Sequence, residues 1–106
     1  MISIVSGMAE AEKEAGLGQG FPGEDMATRD PQEAGRWVRV YSELLRFEEQ
    51  VVAAAHAGIA NITESAARQA AIDADLPILE GENDRLRRRL DFWRQRQLEL
   101  ERRGAN

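Results

Sequence analysis

The chain has 106 residues, a formal net charge of −5 at pH 7, one histidine and no cysteine. Disulfides and thiolate metal sites are excluded outright, and His-rich metal sites would need ligands from several copies. The acidic balance argues against bulk nucleic-acid binding and leaves room only for a local basic patch.

No stretch approaches the roughly 20 apolar residues that span a bilayer. The opening Met1-Ile2-Ser3-Ile4-Val5 is short for a signal-peptide core and has no basic flank. The expectation is therefore a cytoplasmic protein with no membrane association. Lys13 is the sole lysine among many arginines, in an alanine-rich chain, a bias that suggests a GC-rich bacterial genome.

Residues 1–29 differ from the rest. Glycines fall at 7, 16, 18, 20 and 23, with Pro22 among them and Glu10, Glu12, Glu14, Glu24 and Asp25 around them. Such a composition predicts a mobile, acidic, Gly-rich tail. Met26-Ala27-Thr28 also resembles a start site, which would make the preceding residues dispensable. Gly16-Leu17-Gly18-Gln19-Gly20 resembles a phosphate loop only superficially, since no strand precedes it and no Lys-Ser/Thr pair follows.

The foldable part is then residues 30–103, a small domain that buries only about 60% of its unfolded surface and often needs a partner. Asp30-Pro31-Gln32-Glu33 is a helix start: a carboxylate cap, proline at the first helical position and glutamate at the third. Trp37, Val38, Tyr41, Leu44, Leu45, Val51, Val52 and Ala55 recur at helical spacing. Gly58 suits a left-handed stop, so the first helix is predicted over 31–57, with a turn at 58–61. Asn61 followed by Glu64 looks like a second cap. An alanine-rich helix over 62–75 follows, then a kink or break near 76–77 at Pro77, then a helix over 78–103.

That last helix carries heptads. Leu76, Asn83, Leu90 and Gln97 form the a row; Leu79, Leu86, Trp93 and Leu100 form the d row. A lone asparagine at an a position can fix register and partner number. Ile78, Phe92 and Leu98 lie off this seam, and the first helix has a stripe wider than a two-stranded coil requires. The fold class expected is all-α: an antiparallel helical hairpin with a long, kinked or broken second arm and a coiled-coil-like C-terminal helix, forming a dimeric bundle. Its core and interface are assigned to Trp37, Tyr41, Leu44, Leu45, Leu79, Asn83, Leu86, Leu90, Trp93 and Leu100.

Chemistry-bearing constellations are few. Arg85, Arg87, Arg88, Arg89, Arg94 and Arg96 make a basic block. Arg85, Arg88, Arg89 and Arg96 are its candidate contact patch, with Phe92 and Trp93 available for stacking on bases. The competing reading is a solvated helix face whose arginines pair with nearby acids. Glu48 interrupts the apolar stripe and must find a partner, such as an arginine of the last helix, or reach water. Glu49 and His56 are two turns apart, roughly 10 Å, too far to grip one metal. Ser42 and Ser65 have no histidine near them in sequence, and helical serines without a strained elbow make poor nucleophiles. No catalytic residue, cofactor or metal ligand is assigned. The function expected is a non-catalytic helical adaptor or regulator that binds itself and an unidentified protein. The alternatives are a nucleic-acid- or nucleotide-binding module using the arginines of 85–96, and a structural subunit of a larger assembly.

Overall fold

The computed structural model describes residues 17–104. They form two long helices packed against each other, with no strand among the described residues. Helix α1 spans Pro31–Ala60, α2 spans Ser65–Ala70, and α3 spans Leu76–Gly104. A π-helical turn, Ala71–Asp75, joins α2 to α3.

Helix α1 starts where the sequence places it. Asp30 is the N-cap and accepts a hydrogen bond from the Gln32 N–H at 2.9 Å, a contact worth about 1 kcal/mol. Glu33 does not close the expected reciprocal box. Thr28 intervenes, its hydroxyl donating to Glu33 at 2.8 Å and accepting from the Asp30 N–H at 3.2 Å.

The other boundaries move. Gly58 is not a left-handed stop, because the only positive φ angles among the described residues belong to Gly18 and Gly23. Helix α1 runs on to Ala60, where the Asn61 N–H bonds back to the Gly58 and Ile59 carbonyls. Asn61 is thus used to end α1, and α2 begins at Ser65 rather than 62. Glu64 caps it, accepting from the Ala66 and Ala67 N–H groups at 3.0 and 2.7 Å.

Near Pro77 the expected kink or break becomes a widened turn. The Leu76 N–H reaches back five residues to the Ala71 carbonyl. Proline has no N–H to donate and its ring crowds the carbonyl four residues earlier. One turn of five-residue spacing accommodates this while the helix continues. The second arm is therefore continuous helix from Ser65 to Gly104.

The core lies at one end of the hairpin. Ala34, Trp37, Tyr41 and Leu45 of α1 pack with Leu86, Leu90, Trp93 and Leu100 of α3. Trp37 and Trp93 rings stack at 6.3 Å between centroids. Leu44 and Leu79, assigned to the core by periodicity, are only half-buried. Leu44 sits on the flank of the stripe, and Leu79 lies in the other half of the hairpin. There, from Arg46 round to Arg85, Asn83 is the single buried residue.

Residues 17–28 are not a mobile tail. They lie along the groove between α1 and α3, with Leu17 and Thr28 buried and Met26 packed on the core. The physical reason is a tight turn the composition concealed. The Glu24 N–H bonds the Phe21 carbonyl at 3.0 Å, with Pro22 and Gly23 between them and Gly23 at φ +84°. This is the arrangement of a type II turn, which requires a residue tolerant of positive φ at its third position. Asp25 opens a second turn, accepting from the Ala27 N–H at 2.9 Å through its side chain and the Thr28 N–H at 3.1 Å through its carbonyl. The expected tail over 1–16 lies outside the described residues.

Candidate functional site: a buried carboxylate in an arginine-lined groove

Three arginines on α3 hold the 17–28 segment. Arg85, Arg89 and Arg96, together with Phe92, recur at four- and three-residue spacing and so share one helical flank, distinct from the heptad seam. Arg85 donates to the Gln19 carbonyl at 3.0 Å. Arg89 donates from Nη1 to the Leu17 and Gly18 carbonyls at 3.2 and 3.0 Å. Arg96 donates to the Thr28 carbonyl at 2.9 Å and the Ala27 carbonyl at 3.5 Å. From Gln19 at Arg85, through Glu24 at Arg89, to Thr28 at Arg96, the segment runs alongside α3 in the same direction.

At the centre lies Glu24. Its carboxylate forms an ion pair with Arg89, both side chains being 1% exposed. Trp93 donates its Nε1–H to the same oxygen at 2.8 Å. The other oxygen accepts from the Tyr41 hydroxyl at 2.5 Å and the Phe21 N–H at 3.0 Å. Arg89 also donates from Nε to the Tyr41 oxygen at 2.7 Å. Outside this cluster, Phe21 stacks on Trp37, nearly coplanar at 6.2 Å, and tilts against Tyr41 at 5.7 Å.

The electrostatics follow from this geometry. Burial alone would raise the Glu24 pKa, but the hydrogen bonds from Tyr41, Trp93, the Phe21 backbone and Arg89 outweigh it, leaving the value below the ordinary 4.5. Burial and the adjacent carboxylate push the Tyr41 phenol well above its usual range. Burial would lower Arg89, and Glu24 more than offsets it, so the guanidinium stays charged.

A pH dependence follows. Above 4.5 the Glu24 contribution to stability is complete; as the pH falls through the lowered folded value, the carboxyl protonates and that contribution is lost. Acid titration of the wild type should show the fluorescence of the Trp37–Trp93 pair changing below pH 4.5 as the segment releases, with Glu24→Gln lacking the step. Glu82 is also held low, by its Arg85 hydrogen bond, and the difference between the two titrations removes its share. Superimposable curves would refute the assignment.

The basic patch expected at Arg85, Arg88, Arg89 and Arg96 is thus divided. Arg89 is buried rather than solvent-facing, because its guanidinium is the counter-charge of Glu24. Arg85 and Arg96 are half-buried under the segment, and Arg88 is exposed. Arg87 pairs with Glu49 across the hairpin at 3.5 Å, both ends exposed. The cross-helix partner of an arginine is thus Glu49, and Glu48 is half-buried with its Oε2 lacking a protein partner. Asn83, the polar residue of the a row, is buried at the same half of the hairpin with its Oδ1 likewise unpartnered.

His56 meets Glu80 at 3.3 Å on the surface. Among the described residues no three His, Cys, Asp or Glu side chains come together to hold a metal, and no helix is long and apolar enough to cross a membrane. No protein-family model matches the chain, and neither a curated protein nor a solved structure does.

Proposed function

We propose that the chain is a non-catalytic helical docking protein that pairs with a second copy of itself, and through that bundle with a protein partner. The observation that carries this reading is where the core stops. All buried large apolar side chains of the helices belong to the half containing Trp37 to Leu45 and Leu86 to Leu100. In the other half Phe47 is 63% and Ile78 is 72% exposed, and Val51, Val52, Ile59, Leu76 and Leu79 are only half-covered.

Val40, Leu44, Phe47, Val51 and Ala54 follow each other at four- and three-residue spacing, a second apolar seam on α1. Such a seam leaves apolar area in water unless another helix covers it. Glu43, Arg46, Gln50 and Arg87 border it with both signs of charge, which suits a self-complementary contact. The buried polar cluster around Arg89 is saturated internally by Glu24, which supports docking over catalysis. A phosphate-binding role draws less support, because Arg85, Arg89 and Arg96 already grip residues 17–28.

Light scattering on the full chain tests the proposal. The wild type should run as a dimer, and Phe47→Asp or Ile78→Asp as a monomer with unchanged helicity. A structural subunit of a larger assembly would appear as a higher, fixed stoichiometry. A wild type that stays monomeric at high concentration would sink the reading.

A further inference from the structure

We propose that the groove between α1 and α3 is a peptide-recognition site for a turn-containing segment of the form Gly-x-Gly-Phe-x-Gly-Glu, and that residues 17–28 are its ligand in cis, exchangeable for the same segment of a second copy.

The contacts divide as those of a receptor and a ligand. The hairpin supplies Arg85, Arg89 and Arg96, which grip main-chain carbonyls of residues 17–19, 27 and 28. Any extended peptide offers such carbonyls, so these contacts supply hold without sequence information. Selectivity comes from three other features. Arg89, Tyr41 and Trp93 converge on one carboxylate with matched donors, which is charge-assisted recognition of high directionality. Trp37 presents its face to one aromatic ring. The arginines also demand glycine at two places. A Cβ on Gly18, whose φ is +67°, would lie 2.5 Å from Arg85 Cδ, and one on Gly20 would collide with the Arg89 guanidinium.

The ligand itself has no helix or strand of its own. Its internal bonds are the two tight turns and the Glu24 contact to the Phe21 N–H, so its position is dictated by the groove. It leaves the groove at Thr28 and joins α1 through Arg29 and Asp30 alone. A link of two residues spans about 7 Å, so exchange between copies requires their two grooves to lie side by side. This inference does not rest on self-association through the apolar seam of α1.

The test uses the full chain with its own ligand disabled, Phe21→Ala with Glu24→Ala, titrated with a synthetic peptide of residues 17–28 and read by tryptophan fluorescence and calorimetry. The variant should bind the peptide. The wild type should bind it at least about 100-fold more weakly, because its tethered segment competes at an effective concentration of about mM. A peptide with glutamine in place of glutamate at position 24 should bind the variant about 100-fold more weakly than the parent peptide. If the variant is unfolded alone, recovery of helicity on adding peptide supports the proposal by linkage. A folded variant that ignores the peptide, one that binds both peptides equally, or an unfolded one that peptide leaves unfolded would overturn it.

Discussion

Arg89→Ala is expected to cost about 3–5 kcal/mol, the range for breaking a buried charge pair by removing one member. Small domains have total stabilities of about 5–15 kcal/mol, so this variant should sit near the limit of folding. Four groups lose a donor at once: the Glu24 carboxylate, the Tyr41 oxygen, and the Leu17 and Gly18 carbonyls. Arg89→Lys should recover little, because one ammonium cannot replace a planar fork whose Nε, Nη1 and Nη2 each serve a different partner. Release of residues 17–28 lets Glu24 reach water and caps the penalty, so the segment should detach before the helices melt. The double variant Glu24→Leu with Arg89→Met should be more stable than Arg89→Ala, since it removes both charges together. Urea denaturation followed by fluorescence and by helical circular dichroism measures all of these. An Arg89→Ala loss within about 1 kcal/mol of zero would mean the pair is not buried in solution.

The helical half of this arrangement was legible because it is periodic. Trp37, Tyr41, Leu45, Leu86, Leu90, Trp93 and Leu100 are all buried, at positions where three- and four-residue spacing places them on one face. The cap at Asp30 was equally local, since it depends on the next two residues alone. Pro77 announced an interruption, but whether a proline ends a helix or widens a turn depends on how the two arms pack, which local spacing does not encode. The groove was hidden for a different reason. Glycine and acid in residues 17–25 read as solvent-seeking, whereas here the glycines admit arginine side chains and one acid neutralises a buried cation. A signal was available in Pro22-Gly23, a turn pair flanked by an aromatic and a glutamate, and in the row Arg85, Arg89, Phe92 and Arg96. Neither element has meaning until the other is placed against it. For the same reason a chain begun at Met26 would lack Glu24, the counter-charge of Arg89, together with the Leu17 and Gly18 carbonyls that Arg89 holds.

Trp93 is where the apolar core and the polar groove meet, so its replacement tests both. It is fully buried, stacks on Trp37, takes the edge of Phe92 at 5.2 Å, and donates to Glu24. Trp93→Ala should cost about 3–5 kcal/mol through lost burial and the cavity left behind. Trp93→Phe separates the two roles by keeping most of the ring and deleting the N–H. A carboxylate as buried as that of Glu24 feels the loss of a donor at about 1–3 kcal/mol. In a Glu24→Ala background there is no carboxylate to satisfy, and the same Trp93→Phe change should then cost only its small loss of ring area. The difference between the two backgrounds, read from denaturation midpoints at constant slope, is the coupling between core and groove. Equal costs in both backgrounds would show that the indole N–H contributes nothing to holding Glu24, and that Trp93 serves the hairpin by packing alone.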